Sequence, residues 1–252
     1  MRQYLLVLIV GLVLATIAGL LICGVAKVRE AAGRTQCTNN IKHIGLSIQN
    51  YQDQTGAYPR AALPNPELRP DERLSWIAAI VPWVESSPLY SRMAPRKSWD
   101  AEENRFAALM SYKIVQCPSY PYLERPPVST LCPTHYVGIT GIGTDSATLP
   151  LEDPRAGFFG LERKLTREDL RGRDSAIMMV VETARAHGTW IAAGPPTTRG
   201  LDPGDPPYVG RGGQYGGIHP GGVNVLFADG SIRFIAESID PMEWEAMSSL
   251  NK

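Results

Sequence analysis

Few side chains in this sequence could do chemistry together, and three of them lie near predicted strands: Glu182, His219 and Asp229. An imidazole beside carboxylates can exchange protons as a general acid and base, or it can bind a metal ion. Asp229 also has a purely structural explanation, because Asp-Gly pairs form tight turns between strands. The segment His219-Pro-Gly-Gly can likewise form an ordered loop before a strand. We favour these structural explanations and keep Glu182, His219 and Asp229 as candidate ligand-binding residues. We expect no catalytic residue, no metal site and no cofactor.

The four cysteines do not form a Cys-x-x-Cys pair. Their spacing disfavours a thiol catalyst or a zinc knuckle. Cys117 and Cys132 flank a proline-rich segment. In an oxidising compartment, a disulfide between them would close a loop of about 15 residues and add about 3 kcal/mol of stability. Two separate buried thiols are the alternative for this pair, and Cys37 is interpreted as a packing residue on a helix.

Several well-known catalytic motifs do not occur in the chain. It has no Gly-x-Ser-x-Gly elbow, no phosphate-binding loop of the Gly-x4-Gly-Lys-Ser type and no His-Glu-x-x-His pair. Its 25 basic and 25 acidic residues cancel, so no strong electrostatic field attracts a polyanion. We expect that the protein is not an enzyme and has no nucleic-acid partner.

The strands that must position the candidate residues are predicted by apolar alternation. Residues 223–227 and 232–234 alternate in this way on either side of the Asp-Gly pair. A two-residue turn at this pair predicts a hairpin in which Phe227 lies opposite Ile232. Residues 176–182 predict a strand buried on both faces, and residues 136–140 predict another strand.

The helices are predicted by apolar periodicity and capping residues. A short helix is expected over residues 74–84 with a bend at Pro82, and a last helix is expected after residue 240. A much longer helix is indicated by apolar residues spaced three or four apart: Ile41, Ile44, Ile48 and Tyr51. We predict that this helix runs from about residue 4 to about residue 54, a length of roughly 75 Å. These elements predict an α+β fold, with the helix packed on an antiparallel sheet that carries short helices and long loops.

The first half of the long helix is apolar throughout. Residues 3–26 contain no Asp, Glu, Lys or Arg. A helix of this length reaches about 36 Å, enough to cross a hydrocarbon core of about 30 Å. The run exceeds the roughly 7–15 apolar residues of a cleaved signal, which favours a retained anchor. We divide the chain into a transmembrane anchor (residues 1–26), a helix extension (27–55) and a globular head (56–252).

Several blocks of the sequence carry a resemblance to a known family. His219 and Asp229 begin and end a His-x9-Asp signature that Gly230 completes. Further matching blocks are residues 29–46, 56–59, 75–85, 89–90, 117–118, 136–138 and 181–182. With these blocks the chain resembles a large bacterial family of pilin-like, type II secretion pseudopilin-like proteins of unknown function. That family is also catalogued among solute-binding proteins.

The resemblance implies a location and a class of function. It implies a single-pass protein of the inner membrane with its head on the periplasmic side, whereas a count of Lys and Arg at the ends of the anchor favours a cytoplasmic head. Its expected partners are membrane lipid and other pilin-like envelope proteins. Its expected role is structural or interactive, and an envelope-anchored solute-binding module is the alternative. The chain begins Met-Arg-Gln-Tyr-Leu-Leu and lacks the family's prepilin peptidase site, so we expect it to stay uncleaved and outside filaments.

Overall fold

The computed structural model describes residues 2–84, 89–120, 131–185 and 188–251. Helix α1 spans Arg2–Thr55, and three shorter helices follow: α2 (Trp76–Val84), α3 (Arg105–Leu109) and α4 (Pro241–Ser248). The strands are β1 (Tyr136–Ile142), β2 (Met178–Glu182), β3 (Thr198–Leu201), β4 (Gly222–Phe227) and β5 (Ile232–Ala236). The α+β prediction, with a long N-terminal helix, is confirmed.

The five strands form one sheet in the order β3-β1-β2-β4-β5. The pairs β1–β2, β2–β4 and β4–β5 are antiparallel, as expected, but β1 and β3 are parallel, so the sheet is mixed. Strand β3 was not predicted, because its four residues include Arg199 and Gly200 and show no apolar alternation.

The β4–β5 hairpin forms with a register one residue away from the predicted one. Leu226, and not Phe227, lies opposite Ile232. The turn contains three residues, because Gly230 N–H donates to Phe227 O at 2.9 Å and Phe227 N–H donates to Ser231 O at 2.9 Å. Within this turn only Gly230 has a positive φ, 82°. A two-residue type I′ turn needs a positive φ at both central residues, so the chain adopts the three-residue alternative.

The second half of α1 packs on one face of the sheet. Ile41, Ile44 and Ile48 are fully buried, as predicted from their spacing. Gly45 lets the helix come close to β4, because a Cβ there would lie 3.0 Å from Leu226 Cδ1. The other face of the sheet is covered by a second apolar cluster that includes Trp244 of α4. The candidate ligand residues are therefore positioned by a helix and a sheet that share a core.

The first half of α1 has no such cover. Its apolar window has a mean hydropathy of 2.7 and none of it is buried. Among the described residues, α1 is the helix that is long and apolar enough to cross a membrane.

Candidate functional site

His219 is the centre of a buried polar cluster between α1 and the sheet. Its side chain precedes β4 and is 1% exposed. Nδ1 lies 2.6 Å from Glu30 Oε1, and Nε2 lies 3.5 Å from Glu182 Oε1. The ring therefore lies between a carboxylate of the long helix and a carboxylate of the sheet. We call the set Glu30, Cys37, Cys117, Glu182 and His219 the His219 cluster.

Glu182 is held in place by the neighbouring strand. It is the last residue of β2, and its side chain is 1% exposed. Asn224 of β4 donates to it twice, from its backbone N–H to Oε2 at 2.9 Å and from Nδ2 to Oε1 at 3.1 Å. A buried carboxylate is tolerated only when it is paired and hydrogen-bonded. Asn224 supplies those bonds and fixes the direction in which Glu182 faces His219.

The two sulfurs of the cluster are joined in a disulfide between Cys37 and Cys117. Cys117 Sγ also lies 3.4 Å from His219 Nε2. α1 can approach the Cys117 segment closely because Gly33 has no side chain; a Cβ there would overlap Ser119 Oγ. The disulfide links the long helix to the head across 80 residues of sequence.

A disulfide between Cys117 and Cys132 does not form, and the alternative of two separate thiols is correct for Cys132 but wrong for Cys117. Cys132 is a free, buried thiol whose backbone N–H donates to Ala108 O at 2.9 Å, and Gln116 Nε2 donates to its sulfur at 2.8 Å. Burial raises the pKa of the Cys132 thiol, which favours the protonated, unreactive form. Cys37, interpreted from the sequence as a packing residue, is the partner of Cys117 because the extension of α1 crosses this segment.

The electrostatics of the cluster favour a protonated His219. Burial alone would lower the pKa of the imidazole, but hydrogen bonds and charge from Glu182 and then Glu30 outweigh burial. The net result is a pKa above the ordinary histidine value. The ring thus lies between two carboxyl groups, Glu30 and Glu182, that both favour its protonated form.

A second histidine, His135, contacts the backbone of Cys117. His135 Nδ1 accepts a hydrogen bond from the Cys117 backbone N–H at 3.0 Å, and its ring stacks on Tyr120 with the centroids 4.2 Å apart. Burial lowers the pKa of His135 to about 4, so this ring is neutral near pH 7. With Nδ1 acting as acceptor, the proton is on Nε2.

Asp229 is not part of the His219 cluster. It is exposed in the β4–β5 turn, where its Oδ1 accepts a hydrogen bond from Ser231 N–H at 2.9 Å. His219 precedes β4 and Asp229 follows it, so a strand of about 20 Å separates the two residues. The structure thus brings together His219 and Glu182 of the three predicted ligand residues.

Glu30 and Cys37 were not identified from the sequence as site residues. They are seven residues apart on α1, which is close to two helical turns. Cys37 is itself four residues before Ile41 and seven before Ile44, so the buried face continues toward the N-terminus. Extending the apolar periodicity backward from Ile41 would have indicated that both residues face the head.

Four members of the cluster have the chemistry of metal ligands. Cys37, Cys117, Glu182 and His219 each offer one ligand atom, and these atoms all lie within 4.8 Å of one another. In the disulfide form the sulfurs are bonded to each other, and the cluster acts as a covalent and ionic joint between α1 and the head. The carboxylates, the imidazole and the sulfurs together can bind a cation or move protons.

A separate open cavity of about 500 Å³ lies beside β1 and β3. Its lining includes Thr140, Leu161, Thr198, Arg199 and Gln214. Burial lowers the pKa of the Arg199 guanidinium to about 10, which leaves it charged near pH 7. The Arg199 side chain donates to Thr183 Oγ1 at 3.1 Å and to the backbone oxygen of Arg185.

Comparison with known proteins gives one match. A family model described as "Protein of unknown function (DUF1559)" matches residues 26–200 and 183–242, and its label also classes it with solute-binding proteins. No curated protein and no solved structure gives a significant match to the chain.

Proposed function

The chain belongs to the family of unknown function DUF1559, and we propose that it is a pilin-like interaction protein anchored in the cytoplasmic membrane. Its head lies on the extracytoplasmic side, and it has no catalytic activity. The observation that carries this proposal is the division of α1 into two halves. The first half exposes an apolar surface with nothing packed on it, and the second half is buried in the head.

The apolar half of α1 supports the anchoring role. Val7, Leu12 and Leu20 are 66–74% exposed in the isolated chain. In water such a surface is unfavourable by about 25 cal/mol for each Å² of apolar area, whereas lipid offers it an apolar environment. The polar groups of the helix backbone are already satisfied internally, as a membrane requires.

The disulfide supports the extracytoplasmic position of the head. Disulfides form and persist in oxidising compartments and are rare in the cytoplasm. The Cys37–Cys117 bond lies near the point where α1 enters the head. Glu30, seven residues closer to the N-terminus, contacts His219. These contacts hold the anchor and the head in one orientation, as a protein that presents a binding face above a membrane requires.

A thiol count in cells tests the position of the head. Membranes carrying the full-length protein are denatured, and free thiols are then labelled with a polyethylene-glycol maleimide. One sample is labelled directly and the other after reduction of its disulfides. We expect two additions without reduction, at Cys23 and Cys132, and four after reduction. The Cys37→Ser variant is the matched control, because it should give three additions under both conditions.

Protease digestion of intact spheroplasts gives the complementary measurement. We expect external protease to degrade the head and to leave an N-terminal fragment in the membrane. If all four thiols react without reduction and the head is protected in spheroplasts, the head faces the cytoplasm and the proposed role is wrong.

Solute binding is a second candidate function, favoured by the cavity beside β1 and β3. Its volume lies within the range of about 300–1,000 Å³ that is typical of ligand pockets. Native mass spectrometry of the purified full-length protein would detect a co-purifying solute. The Thr144→Trp variant would fill the cavity from its exposed edge and should abolish that mass, whereas Leu46→Ala on α1 should not.

A further inference from the structure

We propose that, when the Cys37–Cys117 disulfide is reduced, Cys37, Cys117, Glu182 and His219 bind one zinc ion. The disulfide and the zinc ion are then alternative links at the same joint between α1 and the head. This inference concerns the chemistry of the joint and is independent of the side of the membrane on which the head lies. It therefore goes beyond the proposed anchoring function.

The distances of the cluster fit a tetrahedral zinc site. Zinc binds sulfur at about 2.3 Å and nitrogen or oxygen at about 2.0–2.2 Å, so neighbouring ligand atoms lie about 3.3–3.8 Å apart. His219 Nε2 lies 3.4 Å from Cys117 Sγ and 3.5 Å from Glu182 Oε1. These two ligand–ligand distances thus already match those of a tetrahedral zinc site before any metal binds. Reduction frees the two sulfurs to complete the set.

The surroundings of the ligands also match a metal site. A histidine that binds zinc through one ring nitrogen commonly donates the other N–H to a carboxylate, and Glu30 Oε1 lies 2.6 Å from His219 Nδ1. A carboxylate ligand is itself usually hydrogen-bonded, and Asn224 binds Glu182 through two donors. Glu30 and Asn224 are therefore positioning residues for the two non-sulfur ligands.

The ligand types favour zinc over calcium and magnesium. Two thiolates and an imidazole are poor ligands for calcium or magnesium, which take oxygen ligands. Two cysteines with a histidine and a carboxylate form a four-coordinate set of the kind that zinc prefers. The positive charge of zinc also balances the charges of the two buried thiolates.

The chemistry of the exchange balances with a dithiol as the reductant. The dithiol gives two electrons and two protons to the Cys37–Cys117 disulfide, its own sulfurs form a disulfide, and both cysteines become thiols. When zinc binds, the two thiols release two protons and the sulfurs coordinate the metal as thiolates. His219 releases any proton carried on Nε2 to solvent and coordinates through that atom as a neutral ring, and its Nδ1–H donates to Glu30.

The test uses the full-length protein in detergent, with Cys23→Ser and Cys132→Ser introduced so that only the two cluster cysteines remain. One sample is oxidised; the other is reduced with dithiothreitol and desalted without oxygen. Each is titrated with zinc against a chromophoric chelator and, separately, with cobalt(II). We expect one zinc per reduced chain, none per oxidised chain, and a thiolate-to-cobalt charge-transfer band with tetrahedral visible bands.

Variants separate ligands from positioning residues. Cys37→Ser and His219→Gln should each weaken zinc binding at least tenfold and alter the cobalt spectrum. Glu30→Gln should weaken binding by about 10- to 100-fold while the tetrahedral cobalt bands remain. Asp229→Asn is the matched control and should leave both measurements unchanged, since Asp229 lies exposed in the β4–β5 turn outside the His219 cluster.

Two results would overturn the proposal. One is a folded, reduced protein that binds no stoichiometric zinc, with folding checked by circular dichroism. The other is zinc binding that His219→Gln and Cys37→Ser leave intact. If reduction unfolds the protein, refolding by zinc supports the proposal and failure of zinc to refold it refutes it.

Discussion

His219 contacts residues from three distant parts of the chain. Glu30 of α1 binds Nδ1, while Glu182 of β2 and Cys117 lie near Nε2. The ring thus contacts both the long helix and the disulfide. Its net pKa is raised because the carboxylates outweigh burial.

Sequence reasoning at the residue scale found the members of this cluster that stand out by type. His219 and Glu182 were identified as candidate ligands because an imidazole with carboxylates can bind a metal ion or exchange protons. Glu30 and Cys37 were not, because their roles depend on the angle at which α1 docks on the head. The partner of Cys117 likewise depends on a contact across 80 residues, which no local pattern encodes.

The buried His135 predicts a loss of stability in acid. Its folded-state pKa of about 4 lies below the unfolded value of about 6.5. Between these values the unfolded chain binds a proton that the folded chain does not, so stability falls as the pH falls through this window. We expect a loss of about 2 kcal/mol at a pH of about 5, relative to neutral pH.

Urea unfolding of the oxidised protein in the presence of EDTA measures this effect. The control is His135→Asn, which keeps an acceptor for the Cys117 N–H but does not titrate. If the free energy of unfolding depends on pH in the same way for the wild type and for His135→Asn, His135 does not have the lowered pKa.

Asp229 is expected to act on the turn and not on the His219 cluster. Asp229→Ala removes the acceptor of the Ser231 N–H, at a cost of about 0.5–1.5 kcal/mol in the free energy of unfolding. Ser231→Ala keeps that N–H and should change stability much less. Urea unfolding of both variants checks the expectation, and a larger loss in Ser231→Ala would contradict it.

At the scale of elements, α1 combines two environments in one helix. Its periodicity predicted the buried face correctly because residues three and four apart share a helix face. The register of the β4–β5 hairpin could not be predicted in this way, because an Asp-Gly pair fits both a two-residue and a three-residue loop. The turn geometry selects the three-residue loop and with it the register. Strand β3 was missed because its pairing with β1 is parallel and distant in sequence.

Ile44 is expected to contribute strongly to the docking of α1. It is 1% exposed, and its truncation leaves a cavity in the core, so Ile44→Ala should lower the free energy of unfolding by about 2–5 kcal/mol. Leu46 lies on the same helix but is 49% exposed, so Leu46→Ala should stay within about 0.5 kcal/mol of the wild type. Equal losses for the two variants in urea unfolding would contradict the observed helix face.

At the scale of the whole molecule, the disulfide closes a loop of 80 residues. The chain-entropy model gives such a loop about 4.5 kcal/mol of stability. We expect dithiothreitol to lower the free energy of unfolding of the metal-free protein by about this amount. Cys37→Ser should already have the lower stability and should respond little to the reductant. Urea unfolding monitored by circular dichroism measures both effects.

The apolar half of α1 is expected to fix the protein in the membrane. An arginine at the centre of a spanning helix costs about 2.5–3.5 kcal/mol of insertion free energy. Leu14→Arg should therefore increase the fraction released by alkaline carbonate extraction of membranes. Leu46→Arg places the same charge on an exposed position of the head-bound half and should remain in the pellet. Equal release of both variants would show that this half of α1 is not the anchor.

The disulfide also determines how a mechanical load passes through the molecule. A pull between the apolar end of α1 and the carboxyl terminus enters the head at Cys37 and continues through the sulfur–sulfur bond to Cys117. Residues 38–116, which include α2 and the buried half of α1, are then bypassed and carry no tension. When the disulfide is reduced, the same force acts on those residues directly, so the redox state of one bond decides whether that part of the head resists or unravels.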